Sequence, residues 1–265
     1  MFSSLEAFKN SRFNQILLTC SNVPTLNLSN LGVNDSRLKQ LLENNQEAEW
    51  CKIWLSFNMI TDESLIALLD FLSKRPGFLE ELCLNNNRLS DKSTVQLCSC
   101  LSVYSSLTRL DLSFNLLTDQ SLDALSGCLE NTKIRLLNLQ GIRATNAGLS
   151  SLAKATPRCI HLKIIKVSSN QISDEVLNYF GVWNYLTLLV ITGKHISPEA
   201  LKKVQERIEF MNCKNIEKLK SICSVLVVPR LGQASMIKCL PKQFCFKLGE
   251  YLFGEKETNN FFFLV

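Results

Sequence analysis

The sequence predicts an α/β solenoid of stacked strand–helix units, and three observations predict it. A phrase L-x-x-L-x-L-x-x-N-x-L-x-D recurs along the chain, its copies fall at a nearly constant interval, and inside each copy the hydrophobic period changes from that of a strand to that of a helix. The phrase is cleanest at Leu79, Leu82, Leu84, Asn87, Leu89 and Asp91, and again at Leu107, Leu110, Leu112, Asn115, Leu117 and Asp119. An earlier copy runs Trp50, Ile53, Leu55, Asn58, Ile60 and Asp62, and degenerate copies start at Val23, Ile134, Leu162 and Leu186. The second aliphatic of the seven copies (Leu26, Ile53, Leu82, Leu110, Leu137, Ile165, Leu189) recurs after 27, 29, 28, 27, 28 and 24 residues.

The elements follow in order. Residues 1–22 read as an N-terminal helical cap, because the open end of a stacked array has to be shielded. Seven units follow over 23–203. In each, a stretch such as Leu82-Cys83-Leu84 alternates with period two and is a short strand with its leucines inward. Behind the Asn, Leu65, Leu68, Leu69 and Leu72 in the second unit and Leu122, Leu125 and Leu129 in the fourth stand at helical spacing. The Asp that closes the phrase (Asp35, Asp62, Asp91, Asp119, Asp174, with Asn146 in the fifth unit) is expected to cap the helix it opens, accepting from the unpaired amides of the first turn. The seventh unit uses Ser197-Pro198-Glu199 instead, an N-cap followed by proline at the first helical position. Asn58, Asn87, Asn115 and Asn170 are expected to be buried and bonded to backbone groups that the sheet leaves unpaired. Residues 204–265 break the phrase and read as a helical C-terminal cap or tail, with helices expected over 199–210, 215–226 and 242–252.

Composition agrees with a folded array: 46% of the 265 residues are hydrophobic and 20% are charged. Met1 to Cys20 carries Glu6, Lys9 and Arg12 and so lacks the uncharged core of a secretory signal. No run approaches the roughly 18 apolar residues of a membrane span. The eleven cysteines are odd in number and form no CxxC pair, which predicts reduced thiols in a cytoplasmic, reducing compartment. A soluble chain, monomeric on its own, is the expectation.

The phrase and its 27 to 29 residue period resemble the ribonuclease-inhibitor-like class of leucine-rich repeats, over Val23 to about Lys203. The resemblance implies a right-handed βα horseshoe with a parallel sheet on the concave face and helices on the convex face. It also implies a protein partner held on the inner face. One branch of the class activates small GTPases, and for that alternative Arg88 and Arg143, in the turns after strands, stand where an arginine finger could. The sequence departs from the pattern where Leu31, Ile142 and Lys194 replace the Asn, so distortion is expected there. The last stretch, with Glu255 and Glu257 ahead of Phe261-Phe262-Phe263, is similar to the C-terminal export signals of effectors that intracellular bacteria such as Legionella inject into host cells. That similarity implies an effector acting in a host cytosol; the alternative is a tail that docks its Phe residues on the cap.

With the leucines inward, the intervening residues face outward along the sheet. One such column is Thr25, Lys52, Glu81, Arg109, Leu136, Ile164, Leu188; the other is Asn27, Trp54, Cys83, Asp111, Asn138, Lys166, Val190. Lys52, Trp54, Phe57, Glu81, Arg109, Asp111, Phe114 and Lys166 are the candidate partner-binding residues, a mixture of aromatic and charged groups that protein interfaces concentrate. The alternative for Phe57 and Phe114 is burial under the loop that leaves the strand. Leu136, Ile164, Leu188 and Val190 form an apolar strip that the tail is expected to cover. Enzymatic chemistry is not expected: only His161 and His195 are available, and there is no phosphate-binding glycine loop. Cys98-Ser99-Cys100 on a helix diverges too far for a metal or a disulfide. No cofactor, metal or small-molecule substrate is therefore expected. The excess of Lys and Arg over Asp and Glu, concentrated beyond residue 197, is too thinly spread to predict nucleic acid as a partner.

Overall fold

A computed structural model divides the chain into two units, Met1–Phe210 and Met211–Val265. The described residues are 2–182, 185–191, 195–204 and 206. The helices expected at 215–226 and 242–252, the Phe-rich end and any covering of the apolar strip by the tail lie outside them, as does Lys194. Within the first unit, seven strands of three residues form one parallel sheet in sequence order: β1 (Thr25–Asn27), β2 (Lys52–Trp54), β3 (Glu81–Cys83), β4 (Arg109–Asp111), β5 (Leu136–Asn138), β6 (Ile164–Lys166) and β7 (Leu188–Val190). Helix α1 (Phe2–Thr19) precedes the sheet, and α2 (Asp35–Asn44), α3 (Asp62–Ser73), α4 (Asp91–Cys100), α5 (Asp119–Cys128) and α6 (Asn146–Ala155) follow the first five strands. The sixth unit departs from the strand-then-helix rule, with a 3₁₀ segment, Asp174–Val182, in place of an α-helix.

Register is the expected one. Leu26, Ile53, Leu82, Leu110, Leu137, Ile165 and Leu189 pair side by side across the sheet and are all buried. The helices bury the leucines that their spacing predicts, Leu65, Leu68, Leu69 and Leu72 on α3 and Leu122 and Leu125 on α5. Strands stack about 4.8 Å apart, whereas helices need about 8 to 10 Å, so the array bends with the sheet on the inside of the arc.

Two polar ladders tie unit to unit. Asn58 Nδ2 donates to Leu28 O and Leu55 O, at 2.9 Å each, while its Oδ1 accepts from Val33 N–H at 2.9 Å. Asn87 and Asn115 repeat the pattern one and two units on. Each Asn therefore serves a backbone donor and acceptor of the preceding unit that the sheet leaves over. Ile142 interrupts the ladder, and the next Asn, Asn170, keeps its donations to Leu139 O and Val167 O but leaves its Oδ1 without a partner among the described residues.

The second ladder corrects the expected role of the Asp. The residues that cap their own helices are Asn34, Ser90, Thr118 and Thr145, whose side chains accept from first-turn amides, while Thr61 holds the equivalent N-cap position. Each Asp is the first helical residue, and its carboxylate reaches across to the cap of the following unit. Asp35 accepts from the Thr61 N–H (3.0 Å) and hydroxyl (2.8 Å), Asp62 from Ser90, Asp91 from Thr118 and Asp119 from Thr145. Asn146 does the same for Ser173 through its amide, and Asp174 accepts from the Ser197 N–H. One carboxylate thus sits at the positive end of its own helix and neutralises the orphan donors of the next. Burial raises the Asp91 pKa, but the bonds from Ser121 and Thr118 outweigh it and hold the carboxyl below its ordinary value; Asp35 and Asp62 behave alike.

At the N-terminal end, α1 buries Phe13, and the chain just after it buries Cys20. The Arg37 guanidinium lies 5.3 Å over the Phe13 ring and donates to Asn10. Trp50 stacks on Phe71 with centroids 5.3 Å apart, and its indole N–H donates to Cys20 O at 2.8 Å. The indole N–H is bonded, which offsets the cost of burying its polar atom with the ring.

Candidate functional site

Strand register brings the outward columns together residue by residue. Lys52, Glu81 and Arg109 lie side by side on β2, β3 and β4. The Lys52 ammonium meets Glu81 Oε1 at 2.8 Å, and the Trp54 indole N–H donates to Glu81 Oε2 at 3.4 Å. The hydrogen bond and charge of Lys52 hold the Glu81 carboxyl below its usual value, with Trp54 and Arg109 helping; Lys52 is raised in turn by Glu81. Arg109 projects into solvent beside them. Lys52, Trp54 and Glu81 therefore form one hydrogen-bonded constellation at the open face of the sheet, with Arg109 beside it.

Its floor is a hollow of about 250 Å³ lined by Ser29, Trp54, Ser56, Glu81, Cys83, Asn85 and Arg109. Pockets for small organic ligands run from roughly 300 to 1,000 Å³ and enclose most of the ligand. This hollow lies on the exposed sheet face and has room for one inserted side chain. Ser29, Ser56 and Asn85 were not among the sequence candidates. They occupy one column, three residues beyond the inward leucine of each strand, which the repeat alignment could have supplied.

Three column members are largely buried. Asp111 is only 7% exposed: its Oδ1 accepts from the Ser113 hydroxyl (2.6 Å) and N–H (3.1 Å), and its Oδ2 accepts from Asn138 Nδ2 at 2.9 Å. Asn138 and Cys83 are buried as well, and burial pushes the Cys83 thiol up. Alternation correctly turned Asp111 toward the sheet face, but neighbouring side chains of the same face close over it. Lys166 lies on β6, two strands beyond Arg109, and outside the hollow.

Phe57 and Phe114 are not under the loop. They are 59% and 47% exposed, and both have left-handed backbone, φ 58° and 54°. The corresponding residues of the other units are Asn30, Asn86, Gly141 and Ser169, again left-handed. Asn and Gly tolerate that conformation, whereas a bulky aromatic residue in it costs on the order of 1 kcal/mol or more. The Phe114 ring occupies the space that a Cβ on Gly141 would take, 2.3 Å from Phe114 Cδ1. Two residues further along each unit, Met59, Arg88, Leu116 and Arg143 are exposed too.

Among the described residues no group of three or more His, Cys, Asp or Glu is placed to hold a metal, and no helix is long and apolar enough to cross a membrane. The seven cysteines among the described residues, from Cys20 to Cys159, are free thiols.

The family model described as Leucine Rich repeat matches residues 105–126 and 158–175, the fourth and sixth copies of the phrase. RAN GTPase-activating protein 2 of Arabidopsis thaliana is 24% identical over 122 residues, 45% of this chain and 22% of that protein. NACHT, LRR and PYD domains-containing protein 7 of Homo sapiens is 28% identical over 158 residues, 59% of this chain and 16% of that protein. The match thus spans less than a quarter of either relative. A solved structure of leiomodin-1 actin-binding site 2 is 14% identical over 62% of this chain and 96% of its own, with a TM-score of 0.49. The chain therefore carries leucine-rich repeats, wound as a solenoid in which seven parallel strands alternate with helical segments.

Proposed function

We propose that the chain is a non-catalytic scaffold that recognises a protein partner on the concave face, with Lys52, Trp54, Glu81 and Arg109 as the centre of contact. The observation that carries this reading is the prearranged Lys52–Glu81–Trp54 cluster around a small open hollow: aromatic and charged groups already held in one geometry lose little entropy on binding. The repeat length supports the ribonuclease-inhibitor-like subtype, and the free thiols support a reducing, cytoplasmic setting. The test is affinity capture with the wild type beside a Trp54→Ala, Arg109→Glu double variant, followed by titration of the purified partner. Retention by the wild type and loss of at least tenfold in affinity by the variant, about 1.4 kcal/mol, is expected. Equal binding by both would remove the concave face from the reading.

A second reading, activation of a small GTPase, rests on Arg88 and Arg143. Both are exposed, and among the described residues neither pairs with a carboxylate. The Ran GTPase-activating relative favours this reading. An arginine finger is worth about 10³ or more in turnover, so a GTP hydrolysis assay over a panel of small GTPases decides: stimulation lost in Arg88→Ala or Arg143→Ala supports it, and no stimulation by the wild type removes it.

A further inference from the structure

The rim where the chain leaves the sheet carries an ordered surface that the hollow does not include. Two backbone ladders fix it. Phe57 N–H donates to Asn85 O (2.9 Å), Asn86 N–H to Ser113 O (3.0 Å) and Phe114 N–H to Gln140 O (2.7 Å); alongside, Arg88 N–H donates to Ile60 O (2.9 Å), Leu116 N–H to Leu89 O (2.8 Å) and Arg143 N–H to Leu117 O (2.8 Å). The rim therefore presents, unit after unit, an apolar pair (Phe57, Met59), a cation (Arg88), an apolar pair (Phe114, Leu116) and a second cation (Arg143). All six are exposed, and the four apolar ones are 41% to 59% exposed. Neither rim column holds an acidic residue in the first six units, and Asp62, Asp91 and Asp119, at the start of the helices that follow the rim, are spent on the caps of their neighbours. Two phenylalanines kept in a strained conformation where Asn serves in the first and third units, and kept in water, point to a surface shaped by something outside the chain.

We infer that this rim docks an acidic amphipathic helix of a partner protein. Adjacent units stack about 4.8 Å apart at the sheet, so Phe57 and Phe114 are about 10 Å apart along the array. Seven residues of α-helix rise about 10.5 Å and return to the same face. A helix lying along the rim meets it with an apolar residue, an acid three or four positions on, an apolar residue at the seventh and an acid beyond, which sets the two acids against Arg88 and Arg143. This surface goes beyond the proposed concave-face contact and stands or falls apart from it.

The probe is a fluorescent alanine-rich peptide of about 18 residues with Leu and Glu alternating every three to four positions on one face, beside a twin in which Lys replaces Glu. Anisotropy with the full chain is expected to rise for the acidic peptide and not for the twin, and binding is expected to weaken with salt. Affinity falls about tenfold or more in Phe57→Asn with Phe114→Asn, and likewise in Arg88→Glu with Arg143→Glu. Because Asn is the residue at this position in two other units, the aromatic variant keeps or raises its melting temperature, which a structural role for the rings would not allow. Trp54→Ala with Arg109→Glu binds the acidic peptide as the wild type does. The inference is overturned if the acidic peptide does not bind, if the twin binds equally, or if neither rim variant weakens binding. Loss in the hollow variant alone transfers the site to the sheet face. Rim-dependent sedimentation with anionic phospholipid vesicles, without peptide binding, makes the surface a membrane contact and also overturns it.

Discussion

Replacing Asp91 by Ala tests the inter-unit staple directly. Four donors of the following unit converge on this carboxylate: the Thr118 N–H at 2.8 Å, the Thr118 hydroxyl at 2.6 Å, the Ser121 N–H at 3.1 Å and the Ser121 hydroxyl. A hydrogen bond to a charged group contributes roughly 1.5 to 3 kcal/mol, but the site is partly open to water, which takes over some of the donors in the variant. The expected loss is about 3 kcal/mol, including about 0.5 kcal/mol from the helix dipole. It would be read as a lower urea midpoint at unchanged slope. Asp91→Asn should lose about 1 kcal/mol or less, because Asn146 already performs the task in the fifth unit, with Ser173 N–H donating to its Oδ1 at 3.0 Å and its Nδ2 donating to the Ser173 hydroxyl at 2.7 Å. Equal losses for Ala and Asn, or a coupling with Thr118→Val below about 0.5 kcal/mol in a double-mutant cycle, would refute the staple.

Other expectations follow from the same contacts. The carboxyls of Asp35, Asp62, Asp91 and Asp174 lie below the ordinary 3.8 in the folded chain, so their contribution is complete above about pH 4 and is lost as pH falls through the lower folded values. Urea midpoints between pH 7 and pH 3 should drop less in Asp62→Asn with Asp91→Asn than in the wild type; identical pH profiles would contradict this. Gly148→Ala should destabilise by about 1 to 3 kcal/mol although Ala favours helix, because the new Cβ would meet the Asp119 Cα at 2.8 Å. A thermal melt at or above that of the wild type would show that α5 and α6 can separate. Asn115→Ala removes the bonds to Leu84 O, Leu112 O and Leu89 N–H and should lose about 2 to 4 kcal/mol in urea denaturation.

Much of this fold was legible because the chain repeats itself. Aligning seven copies of one phrase placed Lys52 beside Glu81 and Glu81 beside Arg109, and pairing bears that register out. It also placed Asn58, Asn87 and Asn115 in buried turns. What failed to show was contact between copies. A capping rule looks within one helix, so it assigned Asp62 to its own first turn when the partner, Ser90, stands 28 residues away. Alternation gives the direction of a side chain but not what covers it, and so Asp111 read as exposed when Ser113 and Asn138 enclose it. The left-handed backbone at Phe57 is likewise invisible in a phenylalanine, though Asn30, Asn86 and Gly141 at the same place in other units were the clue. In the sixth unit the helical spacing of the earlier units gives way to a 3₁₀ segment, for which the sequence offered no distinct signal.

The broken Asn ladder has a consequence for how the array opens. The joint between the fourth and fifth units lacks its Asn, but Asn138 grips Asp111 and Ser113 across the sheet and Gly148 lets α6 settle onto Asp119. Among the described residues the joint between the fifth and sixth units keeps the Asn146–Ser173 pair but shows no such replacement on the sheet side, where Asn170 bonds through its Nδ2 alone. In a linear chain of nearest-neighbour couplings, separation starts at a link with fewer bonds across it. Fraying should therefore begin beyond α6 and spare the first four units, so that amide protons of β6 exchange with deuterium well before those of β3.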